Sequence, residues 1–172
     1  MADACGADET ENRPIWSDAV LESLARGIHE EYLRVERGRT HAEPTNPATA
    51  PWEELPEVLR ESSRDQAAHI LDKLSVIGCD VRPTGGAVSD QTQLEPDEVE
   101  YLAELEHRRW VDERRRNGWV TGPRDPSRKT TPFLVPWEEL SEEMRDYDRM
   151  FVRLIPDLLM QHGYRIVRAA CG

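Results

Sequence analysis

The residues Pro136-Trp137-Glu138-Glu139-Leu140 repeat, letter for letter, the segment Pro51-Trp52-Glu53-Glu54-Leu55, which lies 85 positions earlier in the chain. The agreement continues beyond this segment, since the same offset relates Arg64 to Arg149. A five-residue identity that includes tryptophan rarely arises by accident, and internal repetition of this kind indicates a duplicated structural unit. The sequence therefore predicts two copies of one unit.

Length and composition indicate a small globular protein. The 172 residues suit one domain or two small halves that share a core, and a hydrophobic content of 38% supports a core of modest size. No apolar run approaches the roughly 20 residues that a membrane-spanning helix needs. The first residues, 1–12, are acidic and polar and lack the order of a secretory signal. We therefore expect a cytoplasmic protein with a disordered acidic tail.

The charge distribution favours a small anion over a long polyanion as a partner. The net charge of −12 disfavours non-specific binding to nucleic acid or to acidic membranes. Residues 102–129 nevertheless hold eight basic and five acidic side chains, a local excess of three positive charges, although a solvated helix face would give the same count. Cys5, Cys79 and Cys171 have no zinc-site spacing, so we expect free thiols and no metal.

Apolar periodicity predicts two helices in the first copy. Apolar residues recur every three or four positions between 20 and 35, which indicates a helix that Ser17 caps and that ends near Gly38. A second helix is expected to begin at Pro56, because proline suits the first helical position, and to end at Gly78.

The second copy shows the same order of elements. A helix is expected to begin at Pro96 and to end at Asn117-Gly118, and another should follow Ser141. Pro156 lies inside that last helix and is expected to kink it or to restart it.

The predicted fold class is mainly α with a few short β-strands, in two pseudo-twofold-related repeats, each helix–loop–helix–short strand. The short strands are expected at 79–81 and 164–167. One helix pair cannot bury its apolar face alone, so the copies should pack together, with Trp52 and Trp137 anchoring each loop on the helices. The predicted organisation is a disordered acidic tail at 1–16, a first repeat at 17–82, a linker at 83–96 and a second repeat at 97–168, the two repeats forming one tandem domain.

A histidine followed by an aromatic residue occurs in the first helix of each copy. His29 and Tyr32 correspond, at an offset of 78, to His107 and Trp110. Residues three apart lie on one helix face, so a twofold arrangement would bring two aromatics and two histidines together. Two facing rings accept a flat heteroaromatic such as a purine, and imidazoles with nearby arginines hold phosphate. The alternative interpretation is core aromatics beside hydrogen-bonded histidines.

Glu106 interrupts the apolar stripe of its helix at the position where the first copy has Ile28. A buried carboxylate needs a partner, so Glu106 is expected to pair with an arginine or to contact a ligand.

Two catalytic motifs are present in the sequence only in part. His29-Glu30-Glu31-Tyr32-Leu33 lacks the second histidine of the HExxH zinc motif, and Glu106-His107 has no nucleophile beside it. No enzymatic activity is predicted.

Several motifs of the second copy resemble the ryanodine-receptor repeat domain. They are 102–110 (LAELEHRRW), 117–119 (NGW), 122–125 (GPRD), 131–137 (TPFLVPW) and 145–149 (RDYDR). The first copy resembles the same family more loosely, through 28–32, 51–52, 60–64 and 77–79. The resemblance implies a tandem, mostly helical domain, and the length of the chain suggests a stand-alone bacterial form of it.

The resemblance also implies a ligand. In the animal receptors a tandem of this kind binds an adenine nucleotide between repeats, with the ring held by the aromatic of each His-x-x-Trp motif. In this chain those positions are His29, Tyr32, His107 and Trp110, with tyrosine in place of one tryptophan.

Three functional hypotheses follow. The first is a non-catalytic signalling module that senses an adenine-nucleotide-like ligand in the cleft between the repeats, with no cofactor, no nucleic acid and no membrane. The second is a protein–protein interaction module without a small ligand, and the third is a nucleotide hydrolase that uses Glu106 and His107. For the first, the expected ligand-binding residues are His29, Tyr32, His107, Trp110 and Glu106, with Arg109, Arg114, Arg124 and Lys129 as anion partners.

Overall fold

A computed structural model of the chain describes residues 16–38, 46–85 and 92–168. The described residues form mainly α-helices with four short strands, which confirms the predicted mainly α class with short β-strands. The helices are α1 (Asp18–Arg37), α2 (Glu57–Ala68), α3 (Ile70–Val76), α4 (Pro96–Arg116) and α5 (Glu142–Gln161). The strands are β1 (Cys79–Pro83), β2 (Val120–Thr121), β3 (Thr130–Thr131) and β4 (Tyr164–Arg168).

Side-chain caps explain where the three long helices begin. Ser17 Oγ at the start of α1 and Ser141 Oγ at the start of α5 each accept a hydrogen bond from the backbone N–H three residues on, at 3.4 and 3.3 Å. At the start of α4, Glu95 and Glu98 cap each other's backbone N–H groups, and Pro96 takes the first turn. These starts confirm the sequence-based prediction.

Three features differ from that prediction. The second helix of the first copy is broken, because α2 ends at Ala68 and α3 begins at Ile70, with His69 between them. Of the two outcomes expected at Pro156, the kink stays a prediction and the restart is wrong, since α5 runs through this buried proline. Burial of the apolar residues around it offsets the roughly 3 kcal/mol that an interior proline costs. Strands β2 and β3 pair in parallel over two residues, a contact too short to leave a pattern in the sequence.

The strands that end the two copies pair with each other. β1 and β4 are antiparallel, and Val81 lies opposite Ile166. These two residues are related by the same offset of 85 as the repeated tryptophan segments. Antiparallel pairing about equivalent residues is what a twofold relation would produce, while the relation between the complete repeats stays a prediction.

The core forms where the two halves meet. α1 packs on α2 and α4 packs on α5, while α1 also contacts α5 and α2 contacts α4. Trp52 and Trp137 are 7% and 9% exposed and belong to this core, which confirms their structural role. Of the helices in the described ranges, none has the length and apolar character required to cross a bilayer.

Some predicted features lie outside the described residues. They include the tail at 1–15, residues 86–91 of the linker, Cys5 and Cys171. Cys79 is a free thiol, buried against the core. The boundaries of the two repeats stay a prediction.

Candidate functional site

A cavity of about 180 Å³ lies among α1, α2, α4 and α5. Both halves of the chain bound it, because α1 and α2 belong to the first predicted repeat and α4 and α5 to the second. The cavity wall combines apolar and polar side chains. Of the nine residues that the sequence nominates as ligand contacts, six line this cavity: His29, Tyr32, Glu106, Arg109, Trp110 and Arg114.

One aromatic ring from each half reaches the cavity. Tyr32 comes from α1 and Trp110 from α4. The Tyr32 hydroxyl accepts a hydrogen bond from Asn46 Nδ2 at 3.1 Å, which holds the ring in place. The structure thus brings together the two aromatics of the His-x-x-aromatic motifs.

The two histidines have matching partners in the two halves. His29 Nε2 donates to Ala50 O and His107 Nε2 donates to Val135 O, each at 2.8 Å. The carbonyl oxygens can only accept, so Nε2 carries the hydrogen in both rings. Each histidine also stacks on the aromatic three residues on, with ring centres 6.2 and 6.0 Å apart. Both histidines therefore support the aromatics.

His107 does not line the cavity that His29 lines. It borders a second cavity of about 280 Å³ on another side of α4, together with Trp137 and Arg108. The side chain of His107 is buried between that cavity and α5. The structure therefore does not bring the two histidines to one cavity, as a convergence on a shared axis requires.

Arg114 is a partly desolvated cation on the cavity wall. Its guanidinium carbon lies 5.5 Å from the ring centre of Trp110 and 5.1 Å from that of Trp119, and these contacts fix the guanidinium plane. Among the described residues its carboxylate partner is Glu113, at 3.6 Å, too far for a hydrogen bond. Burial lowers the pKa of Arg114, and Glu113 opposes that shift. Its N–H groups therefore retain capacity to bind an anion.

Glu106 is the most buried charged residue of the described chain, with 1% of its surface exposed. Its Oε1 accepts hydrogen bonds from Arg109 Nε and Nη2 at 3.0 and 2.7 Å. Its Oε2 lies 2.6 Å from Lys73 Nζ, but the two groups are not aligned for a hydrogen bond, so the contact is an ion pair. Burial raises the pKa of Glu106, yet the two cations outweigh it and the net pKa is lowered. The expected arginine partner is confirmed.

Arg109 carries this ionic network across the two halves. Its Nη1 lies 2.5 Å from Asp65 Oδ2 on α2, while Glu106 lies on its own helix. With two carboxylates bound and a side chain only 5% exposed, Arg109 serves mainly to neutralise buried charge. Its position makes it a weaker anion partner than Arg114.

Asp148 on α5 also lines the cavity. The distance from its Oδ2 to His107 Nδ1 is 3.8 Å. Burial, and then the negative charge of Glu106, raise the pKa of Asp148 well above its ordinary value, although Arg109 and Lys73 act in the opposite direction. The carboxyl that faces the cavity is therefore harder to ionise than an ordinary aspartate.

Two predicted anion partners lie outside the cavity. Arg124 and Lys129 are exposed residues of the segment that carries β2 and β3. Lys129 Nζ donates to Asn117 O at 3.0 Å, which fastens this segment to the end of α4. Within the described ranges no cluster of three or more His, Cys, Asp or Glu side chains has the geometry to hold a metal ion.

Sequence reasoning missed several residues of the site. Asp148 lies between Met144 and Phe151 on the apolar stripe of α5, and Lys73 lies beside Leu74 in α3. Each interrupts an apolar face as Glu106 does, so the same signal was present. Ser62, Ser63 and Gln66 of α2 also line the cavity, and such polar positions carry no distinguishing pattern.

A comparison with known families bears on the second half of the chain. Residues 91–168 match the family model of the RyR domain. The matched range contains Trp110, Arg114 and Asp148, and the first predicted repeat lies outside it. This match agrees with the family that the sequence resemblance predicts for the second half of the chain.

Proposed function

We propose that the protein is a non-catalytic sensor that binds an adenine-nucleotide-like ligand in the cavity between its two halves. The observation that carries the proposal is that Tyr32 and Trp110, one ring from each half, line the same cavity. Aromatic side chains in a small cavity suit a flat heteroaromatic ring, and stacking contributes about 1–3 kcal/mol per base.

The charges of the cavity wall direct an anionic group of the ligand toward Arg114. Glu106 is already neutralised by Lys73 and Arg109. Arg114, by contrast, has only a distant carboxylate partner among the described residues and is held in plane by two indole rings. A guanidinium so oriented binds phosphate through paired N–H groups.

The size of the cavity fits part of a nucleotide. Its volume of about 180 Å³ is below the range of about 300–1,000 Å³ that is typical of complete ligand sites. The base is therefore expected to occupy the cavity, with the sugar and phosphates toward solvent. A ligand that contacts both α1 and α4 stabilises the conformation in which the two halves are packed together. Binding therefore increases the population of that conformation, and this increase is the signal.

Titration with nucleotides tests the proposal. ATP, ADP, ADP-ribose and cyclic nucleotides are added while tryptophan fluorescence and the Tm are measured. Binding to Trp110 should change its fluorescence, and binding to the folded state should raise the Tm. Trp110→Leu should weaken binding by about tenfold or more, because stacking is lost. Arg114→Gln should weaken the binding of ATP more than that of adenosine.

Two matched variants separate binding from general effects. Trp16→Leu removes a tryptophan that packs on Tyr164 and does not line the cavity. Arg116→Gln removes the same charge as Arg114→Gln, but from a side chain that is 68% exposed. Both should bind like the wild type. If no nucleotide changes either the fluorescence or the Tm of the wild type, the proposal is wrong, and a protein-interaction module becomes the hypothesis to test.

A further inference from the structure

Asp148 is a carboxyl of the cavity to which the described residues give no hydrogen bond. Its side chain is 19% exposed, and it lines the cavity together with Tyr32 and Trp110. Within the described part of the chain, the oppositely charged or chargeable group within 4 Å is His107, and the 3.8 Å between Nδ1 and Oδ2 is too long for a hydrogen bond. The carboxyl therefore keeps its hydrogen-bonding capacity for a ligand.

The tautomer of His107 favours a neutral Asp148. His107 Nε2 donates to Val135 O, so the neutral ring presents Nδ1 as an acceptor toward Asp148. Burial lowers the pKa of His107, which keeps the ring neutral, although the bond to Val135 opposes that shift. An acceptor that faces a carboxyl disfavours the ionised form, because two lone pairs then point at each other.

Three charged groups on neighbouring helices also face Asp148. Lys73 lies on α3, and Glu106 and Arg109 lie on α4. The two cations neutralise Glu106, so they stabilise an ionised Asp148 only in part. Together with burial, this arrangement raises the pKa of Asp148. The other ionisable side chains that line the cavity are His29, Tyr32 and Arg114.

We propose that Asp148 recognises the base of the ligand through a neutral carboxyl, so that binding requires its proton. The inference rests on the proposed nucleotide-like ligand and adds how its base is recognised. A carboxylic acid offers an O–H donor beside a C=O acceptor. Adenine presents the matching pair, a ring nitrogen that accepts and an amino group that donates. An ionised Asp148 offers only acceptors and loses the hydrogen bond to the ring nitrogen.

The pH dependence of adenosine binding tests this inference. Adenosine has no phosphate to titrate, so a change in its affinity reports on the protein. The Kd is measured by calorimetry between about pH 5 and about pH 9, a range that begins above the ordinary aspartate pKa of about 3.9. The wild type should bind with constant affinity while Asp148 is neutral. At pH values above the raised pKa of Asp148, the Kd for adenosine should rise about tenfold per pH unit.

Three variants assign the effect to Asp148. Asp148→Asn keeps a donor beside an acceptor and has no proton to lose, so it should bind adenosine at every pH without the rise in Kd. Asp148→Leu should bind about tenfold or more weakly throughout, because both hydrogen bonds are lost. Asp146→Asn makes the same substitution at an exposed position of the same helix and should keep the wild-type profile.

Protein stability gives a readout that needs no ligand. Because the folded-state pKa of Asp148 is raised, its stabilising contribution is fully present below the ordinary aspartate pKa of about 3.9. That contribution is lost as the pH rises through the raised value. The free energy of unfolding of Asp148→Asn should lack this part of the decline, whereas that of Asp146→Asn should keep it.

The outcomes separate this inference from the proposed function. If the wild type binds adenosine equally well at every pH, or if the pH dependence survives in Asp148→Asn, the role of Asp148 is refuted. If neither adenosine nor ATP binds the wild type or any variant at any pH, the proposed function itself fails, and the inference fails with it.

Discussion

At the scale of single residues, the repeated histidines show what duplication preserved. His29 and His107 each donate from Nε2 to a backbone carbonyl of the loop that precedes a repeated tryptophan. The sequence predicted that these residues are important and placed both at a ligand. In the structure each histidine instead donates to a backbone carbonyl. The sequence does not distinguish a ligand contact from a backbone contact, because the fold of the loop places the carbonyl.

The buried network around Glu106 leads to a prediction about stability. Glu106→Ile introduces the residue type that the first copy has at this position, Ile28. The substitution leaves the buried Lys73 without its carboxylate partner. Removing one partner of a buried ion pair costs about 3–5 kcal/mol. Adding Lys73→Met removes the stranded charge, so the double variant should recover part of the loss. Urea unfolding of the single and double variants measures the coupling.

An exposed pair on the same helix is the control. Glu104 and Arg108 form a salt bridge at 2.8 Å, with side chains that are 35% and 63% exposed. Glu104→Ile should change the free energy of unfolding by no more than about 1 kcal/mol. Equal losses at Glu104 and Glu106, or a double variant at Lys73 and Glu106 that is merely additive, would contradict the network as described.

The charged residues show how much of the candidate site the sequence predicts. Glu106 was found because it breaks an apolar stripe, and Asp148 breaks one in the same way. Arg124 and Lys129 were nominated from charge alone. Charge does not determine where a loop folds, and the hydrogen bond from Lys129 to Asn117 holds that segment at the end of α4.

At the scale of elements, Gly27 permits the contact between α1 and α5. A Cβ at Gly27 would lie 2.6 Å from Cδ1 of Leu158, whose surface is 1% exposed. Glycine inside a helix is about 1 kcal/mol less favourable than alanine. Its presence in the middle of α1 is therefore explained by the close approach of the two helices.

Substitution at this contact should destabilise the protein although it improves helix propensity. Gly27→Leu is expected to lower the free energy of unfolding by about 1–3 kcal/mol, because the packed core cannot absorb the added volume. The same substitution at Gly38 is the control, since that residue is exposed at the end of α1 and has a φ of −80°. Denaturant unfolding compares them, and a Gly27→Leu variant as stable as the wild type would show that α1 and α5 are not tightly packed.

The elements themselves were more predictable than their contacts. Ser17, Ser141 and Pro96 mark helix starts because capping is a local property of the chain. The break at His69 and the pairing of β2 with β3 were not predicted. Strands of two residues are too short to leave a periodic pattern in the sequence.

At the scale of the whole molecule, three kinds of contact join the two halves. β1 pairs with β4, α1 packs on α5, and the ionic network joins Asp65 and Lys73 of the first half to Glu106 and Arg109 of the second. The proposed ligand cavity is built from the same helices. The cavity therefore exists only when the halves are assembled.

The second half alone is therefore not expected to fold as a stable unit, although it contains the matched RyR domain. In a fragment of residues 92–168, β4 loses its partner strand, and the buried Glu106 and Arg109 lose Lys73 and Asp65. Circular dichroism during heating should show no cooperative transition in the fragment. Mixing it with residues 16–85 should restore helicity and a transition close to that of the full chain. A fragment that melts cooperatively at the Tm of the full chain would show that the second half is an independent domain, and that the cavity between the halves forms by docking of two separately folded units.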